Sequence, residues 1–434
     1  PNPVAADANG SAFVAAGEAF SVTVTALDAE GDVTPNYGQE TVAETVILTS
    51  NLVAPVAGNN PALGAPVSFG LFSAGQATGN SFSWPEVGII TLTPSVGDGN
   101  YLGAGDVQGQ TSANVGRFTA HHFTAALNTP SFSTICAAGS FSYIGETFTY
   151  SNVPEITVTA TALAGQTAEN YTGGFFKLSN ASLPDPQYTS TPATLDMSGL
   201  PPGSSDPAIV DLGAGIGTLT FSDGSGLSYT RNAEESPFSA DIRLSIDVID
   251  SDGAAATGNP IVFGGGGGML FDSGSTMRYG RARVFNAYGS ELVDLALQFR
   301  TEYFVDAATG FVPNVDDVCT STVTLALGAF TENLVAGDTC VLDTGAPGAS
   351  NEGCTVAGPP ALQYREPPFG GDFNLYLRAP GATNDGSAAA TADVPNWLEY
   401  DWDAGLPGLE DPTGTAVFGI FRGADRRIYT RELY

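Results

Sequence analysis

Residues 17–51 read GEAFSVTVTALDAEGDVTPNYGQETVAETVILTSN, and residues 145–180 read GETFTYSNVPEITVTATALAGQTAENYTGGFFKLSN. Both stretches carry GE-x-F, a VT-x-TAL run, a short turn, an Asn-Tyr pair and a closing run that ends LTSN in one copy and KLSN in the other. An internal repeat is read before any single motif, because each copy is one supersecondary unit that buries its apolar face against its neighbours. Val22 and Val24, like Ile156 and Val158, alternate with Thr in the two-residue period of a half-buried strand. DAEGD and AGQ supply the hairpin turns. The repeat therefore predicts an all-β chain built from tandem Ig-like β-sandwich modules.

Composition agrees. Gly and Pro contribute 54 and 28 of the 434 residues, and much of the remainder is Thr, Val, Ser, Ala and Phe, which suit pleated sheets and turns. No window of helical periodicity emerges, so helix is expected only in short pieces. The 42% hydrophobic fraction is enough for a core despite a net charge of −32. With 14 basic against 46 acidic residues, the chain repels phosphate backbones, which excludes nucleic-acid binding. No apolar run is long enough for a membrane-spanning helix. The first residue is Pro1 rather than Met, which fits a removed signal peptide.

Three units are expected. Residues 1–116 form the first Ig-like module, and since no Lys or Arg precedes Arg117 it is purely acidic. Residues 117–268 form the second, closed by the five glycines Gly264 to Gly268, read as a linker or flexible turn. Residues 269–434 form a larger β-rich domain that holds ten of the thirteen arginines. Its end, TAVFGIFRGADRRIYTRELY, predicts a hairpin turning at 422–425.

RYGRARVFNAYGSEL at 278–292, NVDDVCT at 314–320, PNWLEYDWD at 395–403 and the closing VFGIFRGADRRIYTRELY resemble the C-terminal region of the MshQ-like family. That family is encoded with the mannose-sensitive haemagglutinin (type IV) pilus of Gram-negative bacteria. ICAAGSFSYIGETF at 135–148 and AENYTGGF at 168–175 are similar to the segment just upstream. The resemblance covers residues 117–434; residues 1–116 match only as an Ig-like repeat. It implies a secreted, pilus-associated protein at the surface of a Gram-negative bacterium, with no catalytic residues to carry over. Longer members look to carry an N-terminal laminin-G-like lectin domain, which lies outside this sequence.

The chemistry-bearing residues are few. Cys136, Cys319, Cys340 and Cys354 lack any CxxC pair and read as two disulfides of an oxidising compartment. Cys340 and Cys354 flank an easily closed loop, which would leave Cys136 and Cys319 to pair, but three connectivities stay open. His121 and His122 stand side by side, and in a strand their side chains would point to opposite faces. Serine and cysteine hydrolase signatures are absent. Calcium is the compatible cofactor, with candidate oxygen clusters at Asp28, Glu30 and Asp32, at Asp250 and Asp252, and at Asp316 and Asp317. None has EF-hand spacing, so each reads first as a turn. Trp397 and Trp402, beside Glu399, Asp401 and Asp403, are the candidate platform for a sugar.

The reading is a non-enzymatic structural or adhesive protein of a pilus or surface filament, partnered by copies of itself or by other filament subunits. The alternative is a carbohydrate-binding adhesin that recognises surface glycans. The N-terminal PNPVAADANGSAF is the candidate for a strand donated to a neighbour.

Overall fold

The computed structural model describes residues 1–224, 226–320, 322–342, 361–364, 371–402 and 408–420. The chain is all-β, with strands gathered into several sheets that pack as sandwiches. Among the described residues helix is confined to three single 3₁₀ turns, as the scarcity of helix formers predicts.

In the first module β1 (Phe20–Thr25) pairs antiparallel with β3 (Gln76–Phe82), while β2 (Val46–Ala54), β4 (Gly88–Val96) and β5 (Val115–Phe118) form the facing sheet. Val46 and Leu48 point inward on β2, with half-buried Ile47 between them. Together with Phe20, Phe82, Trp84 and Phe118 they form one core.

The second copy of the repeat builds its strand Glu155–Thr161 into the middle of a sheet, between Ile216–Thr220 and β6 (His122–Leu127). Ile156, Val158 and Ala160 are buried there, and the facing sheet is led by Asp241–Ile246. This core also takes in Ala5, Met269, Phe271, Met277 and Tyr279. The glycine run expected as a linker or flexible turn is instead a packed turn. Gly268 N donates to Gly264 O at 3.0 Å and Met269 N to Ile242 O at 2.8 Å. A Cβ on Gly268 would lie 2.6 Å from the Ile242 nitrogen, so only glycine permits this close approach of two backbones.

In the third region the twelve-residue strand Leu295–Asp306 pairs with Gly280–Val284, Gly310–Pro313 and Asp372–Leu377. A five-stranded sheet ordered Ala287–Gly289, Thr413–Phe418, Gly386–Asp393, Thr322–Gly328, Ala361–Tyr364 packs on it. Leu297, Phe299, Leu375, Ala390 and Phe418 fill the space between, together with Cys136, Phe141 and Tyr143 from earlier in the chain. The hairpin expected at 422–425 lies outside the described residues.

The N-terminal segment, expected as a donated strand, folds onto its own module. Ala5 N donates to Gly116 O at 3.2 Å and Phe13 N to Arg117 O at 2.8 Å, while Asn2 and Asn114 exchange side-chain bonds with the backbone around them.

Candidate functional site: the module junctions

Among the described residues, the most elaborate polar chemistry lies where the modules meet. At the first junction Glu86, wholly buried in the apolar run Trp84 to Ile90, accepts Val87 N at 2.8 Å and Asn170 N at 3.0 Å on Oε1. Its Oε2 accepts Glu169 N at 2.9 Å. Asn170, from the Asn-Tyr pair of the second repeat, accepts Asn59 N at 2.7 Å and donates to Asn59 O at 2.8 Å. Burial pushes the Glu86 carboxyl above its ordinary value, against the pull of the amides that bond it.

Arg117 is the second brace. Its guanidinium grips Asp252 with both terminal nitrogens, Nη2 at 2.6 Å from Oδ1, and its Nε donates to Gly10 O at 2.8 Å. Both side chains are largely buried, the condition under which a two-pronged ion pair is geometrically specific. Asp252 is presented by a turn that Asp250 holds: Asp250 Oδ1 accepts the amides of Asp252 and Ala254, and Oδ2 accepts the Tyr171 hydroxyl at 2.9 Å. A third contact joins Leu163 N to Ala16 O at 2.9 Å.

Where residues 136–143 of the second module enter the third core, the join is covalent as well as polar. Cys136 and Cys319 form a disulfide with a Cα separation of 5.7 Å. Beside it the buried Tyr143 hydroxyl donates to Asp317 Oδ2 and accepts from Asn314 Nδ2, both at 2.7 Å. Asp317 also accepts the amides of Cys319 and Thr320. Arg278 donates to Asn314 and Asp316 and lies over the rings of Phe141 and Tyr303, each at 4.6 Å. Arg231 donates from Nη2 to Gly280 O at 2.8 Å and Glu399 O at 2.6 Å, with its charge 4.3 Å above the Tyr279 ring. Glu234 accepts the Tyr400 hydroxyl from the third region. Glu146, in the loop after Tyr143, is pushed up to about 7 chiefly by burial.

This placement redefines the residues singled out in the sequence. Asp28 accepts the amides of Glu30 and Asp32, so that cluster is a hairpin cap. Asp250 and Asp252 are committed to Tyr171, backbone amides and Arg117, and Asp316 and Asp317 to Arg278, Tyr143 and their own loop. Among the described residues no group of three or more His, Cys, Asp or Glu is placed to hold a metal ion. His121 and His122 do not diverge: His121 precedes β6 rather than lying in it, and the two Nδ1 atoms meet at 2.9 Å. Burial and the neighbouring ring hold His122 below its ordinary value.

Trp397 packs on the third core, while Trp402 is partly exposed and takes Tyr400, not Trp397, as its ring partner at 5.1 Å. Arg281 covers this cluster, 3.7 Å above Phe311, 4.8 Å above Tyr400 and 4.9 Å above Trp402, and is itself paired to Glu302. Glu399 contributes its carbonyl to Arg231, and Asp403 lies outside the described residues. Cys340 is disulfide-bonded, and its expected partner Cys354 also lies outside them. The sequence reading missed Glu86, Asn170, Arg278 and Tyr143. The one visible signal was a lone carboxylate inside WPEVGII.

Comparison with known proteins gives a family. No curated protein sequence matches it. Among solved structures, one titled "Structure of Yersinia pseudotuberculosis adhesin InvE" aligns at 12% identity over 68% of this chain and 60% of that one, with a TM-score of 0.21. Three domain models of a single family match in order: the second domain of DUF6701 at residues 1–82, the third at 86–265 and the fourth at 278–433. With only short gaps between these matches, the chain belongs to the DUF6701 family.

Proposed function

We propose that this chain is a non-enzymatic extracellular protein of a pilus or surface filament, whose work is mechanical and interfacial. The observation that supports this reading is the bracing of both junctions. Buried carboxylates, the groups from which hydrolytic chemistry would be built, are spent on holding one module to the next. Glu86 binds three amides, Asp252 binds Arg117, and Asp317 binds Tyr143. A hinge between modules would yield under load; a junction with a disulfide or a buried two-pronged ion pair transmits it.

Electron microscopy of the purified protein, with and without a chelator, tests the reading. End-to-end assemblies or decoration of pili are expected, unchanged by chelation because Asp28, Asp250, Asp252, Asp316 and Asp317 already have protein partners. Dispersed single particles at every concentration would overturn the assembly role. A second reading, a glycan-binding adhesin, is favoured by the exposed Trp402 ring beside Tyr400. It predicts glycan-array signals that Trp402→Ala removes, and an array without signals ends it.

A further inference from the structure

The two ends of the first module differ in kind. One end, residues 15–17, 58–59 and 84–87, is the junction just described. At the other end the turns that follow β1 and β4 meet those that precede β2 and β3, because antiparallel strands return their loops to the same side. There Tyr37 stacks on Tyr101 with ring centroids 5.9 Å apart and meets Phe72 edge-on at 4.8 Å. Gln39 Nε2 donates to Phe72 O at 2.7 Å, and Glu44 Oε1 accepts Leu102 N at 3.2 Å. On this base stand three large apolar side chains, Val42, Leu71 and Leu102, exposed by 83%, 87% and 64%. Glu40, Glu44 and Asp98 lie near Tyr37, and their charges add to burial in pushing its hydroxyl up to about 12.

Isolated exposed apolar residues need no explanation, but three gathered on one loop end mark an interaction surface. The electrostatics narrow the partner. Residues 1–116 contain no Lys or Arg, so the anionic field around this patch is uncompensated within its own module. A complementary segment carries apolar side chains interleaved with cations. Residues 421–434, FRGADRRIYTRELY, have that composition: Phe421, Ile428, Tyr429, Leu433 and Tyr434 alternate with four arginines. They follow the third core, and the second module lies between that core and this loop end, which favours a contact between chains over one within a chain.

We infer that the Val42–Leu71–Leu102 loop end receives residues 421–434 of a second copy of this chain. The contact rests on the assembly reading above and specifies its interface. It is heterologous, so one contact leaves one unused surface on each partner, and assembly continues to open filaments or closed rings.

The test uses the full-length chain and a labelled peptide of residues 421–434. Anisotropy is expected to show binding that weakens as salt rises from 0.05 to 0.5 M, since Asp98 is exposed and Glu40 and Glu44 are partly so. Val42→Ser with Leu71→Ser, which alters only exposed side chains, weakens it by about tenfold, the equivalent of about 1.4 kcal/mol. Glu40→Lys with Glu44→Lys abolishes binding of this peptide and restores it for a peptide carrying Arg426→Glu and Arg427→Glu. Failure of the peptide to bind, or equal binding by the wild type and the serine variant, overturns the inference. Sedimentation velocity separates this from the parent reading. Assembly unaffected by the serine changes overturns the assigned interface alone, and a chain monomeric at every concentration overturns both.

Discussion

The two copies of the repeat carry nearly the same strand and live in different surroundings. VTVT in β1 pairs with β3 alone, leaving Val22 and Val24 half-buried and Ser21 and Thr23 exposed. In the second copy the strand Glu155–Thr161 has partners on both sides, and Ile156, Val158 and Ala160 are sealed from solvent. Alternation sets which face turns inward; the number of neighbours sets how deep that face lies. The copies part again after the Asn-Tyr pair. LTSN lies within β2, whereas the second copy breaks into a single turn at Gly173–Phe175, where Asp211 Oδ2 captures Gly173 N at 2.7 Å and the Thr172 hydroxyl at 2.9 Å.

That contrast can be broken most severely at its covalent end. The disulfide closes a separation of 183 residues around the second copy, and none of the four cysteines lies in the first. Cys136→Ala with Cys319→Ala is expected to cost on the order of 5 kcal/mol of chain-closure free energy in the second and third regions. Urea unfolding followed by limited proteolysis should show these regions lost first, with the first module's transition unmoved. A common shift of all regions would mean that the modules unfold as one. Next in size, Ile156→Ala should destabilise by about 2–5 kcal/mol, as deletion of fully buried methyl groups does. Val22→Ala on half-buried β1 should cost at most about 1 kcal/mol. Similar losses at both sites would show that depth is not what separates the copies.

The tyrosines sharpen the comparison further. Tyr171 donates to Asp250 at 2.9 Å and accepts Lys177 N at 3.1 Å, whereas Tyr37 reaches Thr45 O at only 3.4 Å. Tyr171→Phe leaves a buried carboxylate short of a donor, at about 1–3 kcal/mol, and Tyr37→Phe should fall within about 0.5 kcal/mol. Chemical denaturation of the two variants side by side decides it.

A further effect is a pH dependence. Burial raises Glu146 from 4.5 to about 7, so the folded chain holds a proton that the unfolded chain releases near 4.5. The resulting stabilisation is fully present below pH 4.5 and is lost as pH rises through 7. Glu146→Gln, locked in the neutral form, should flatten thermal stability between pH 5 and 8 and raise it at pH 8. An unchanged profile would assign that slope to another group.

Strand periodicity, turns and the all-β class were legible because they are local: Val22–Thr25 and Ile156–Thr159 announce their faces within a few residues. The junctions were not, since each is a meeting of residues far apart in sequence. Glu86 finds its amides at 169 and 170, and Tyr143 finds Asn314 and Asp317. The glycine run misled because five residues without side chains suit a flexible tether as well as a turn pressed against Asp241 and Ile242; only the neighbouring backbone distinguishes them. The histidine pair misled because strand geometry was applied to His121, one residue before β6 begins.

Arg117 and its partner Asp252 are 135 residues apart, and Ala5 is walled in by a core whose other members run to residue 304. Seen as a sequence of events, the first junction is therefore a late arrival. The first module has all of its own core once residue 118 has emerged. At about 5–20 residues per second the chain then waits on the order of ten seconds for the acid that will seal its only cation so far. During that interval the segment around Ala5 and the arginine face open water or whatever escorts the chain, and the first junction becomes rigid only after more than half of the chain has been made.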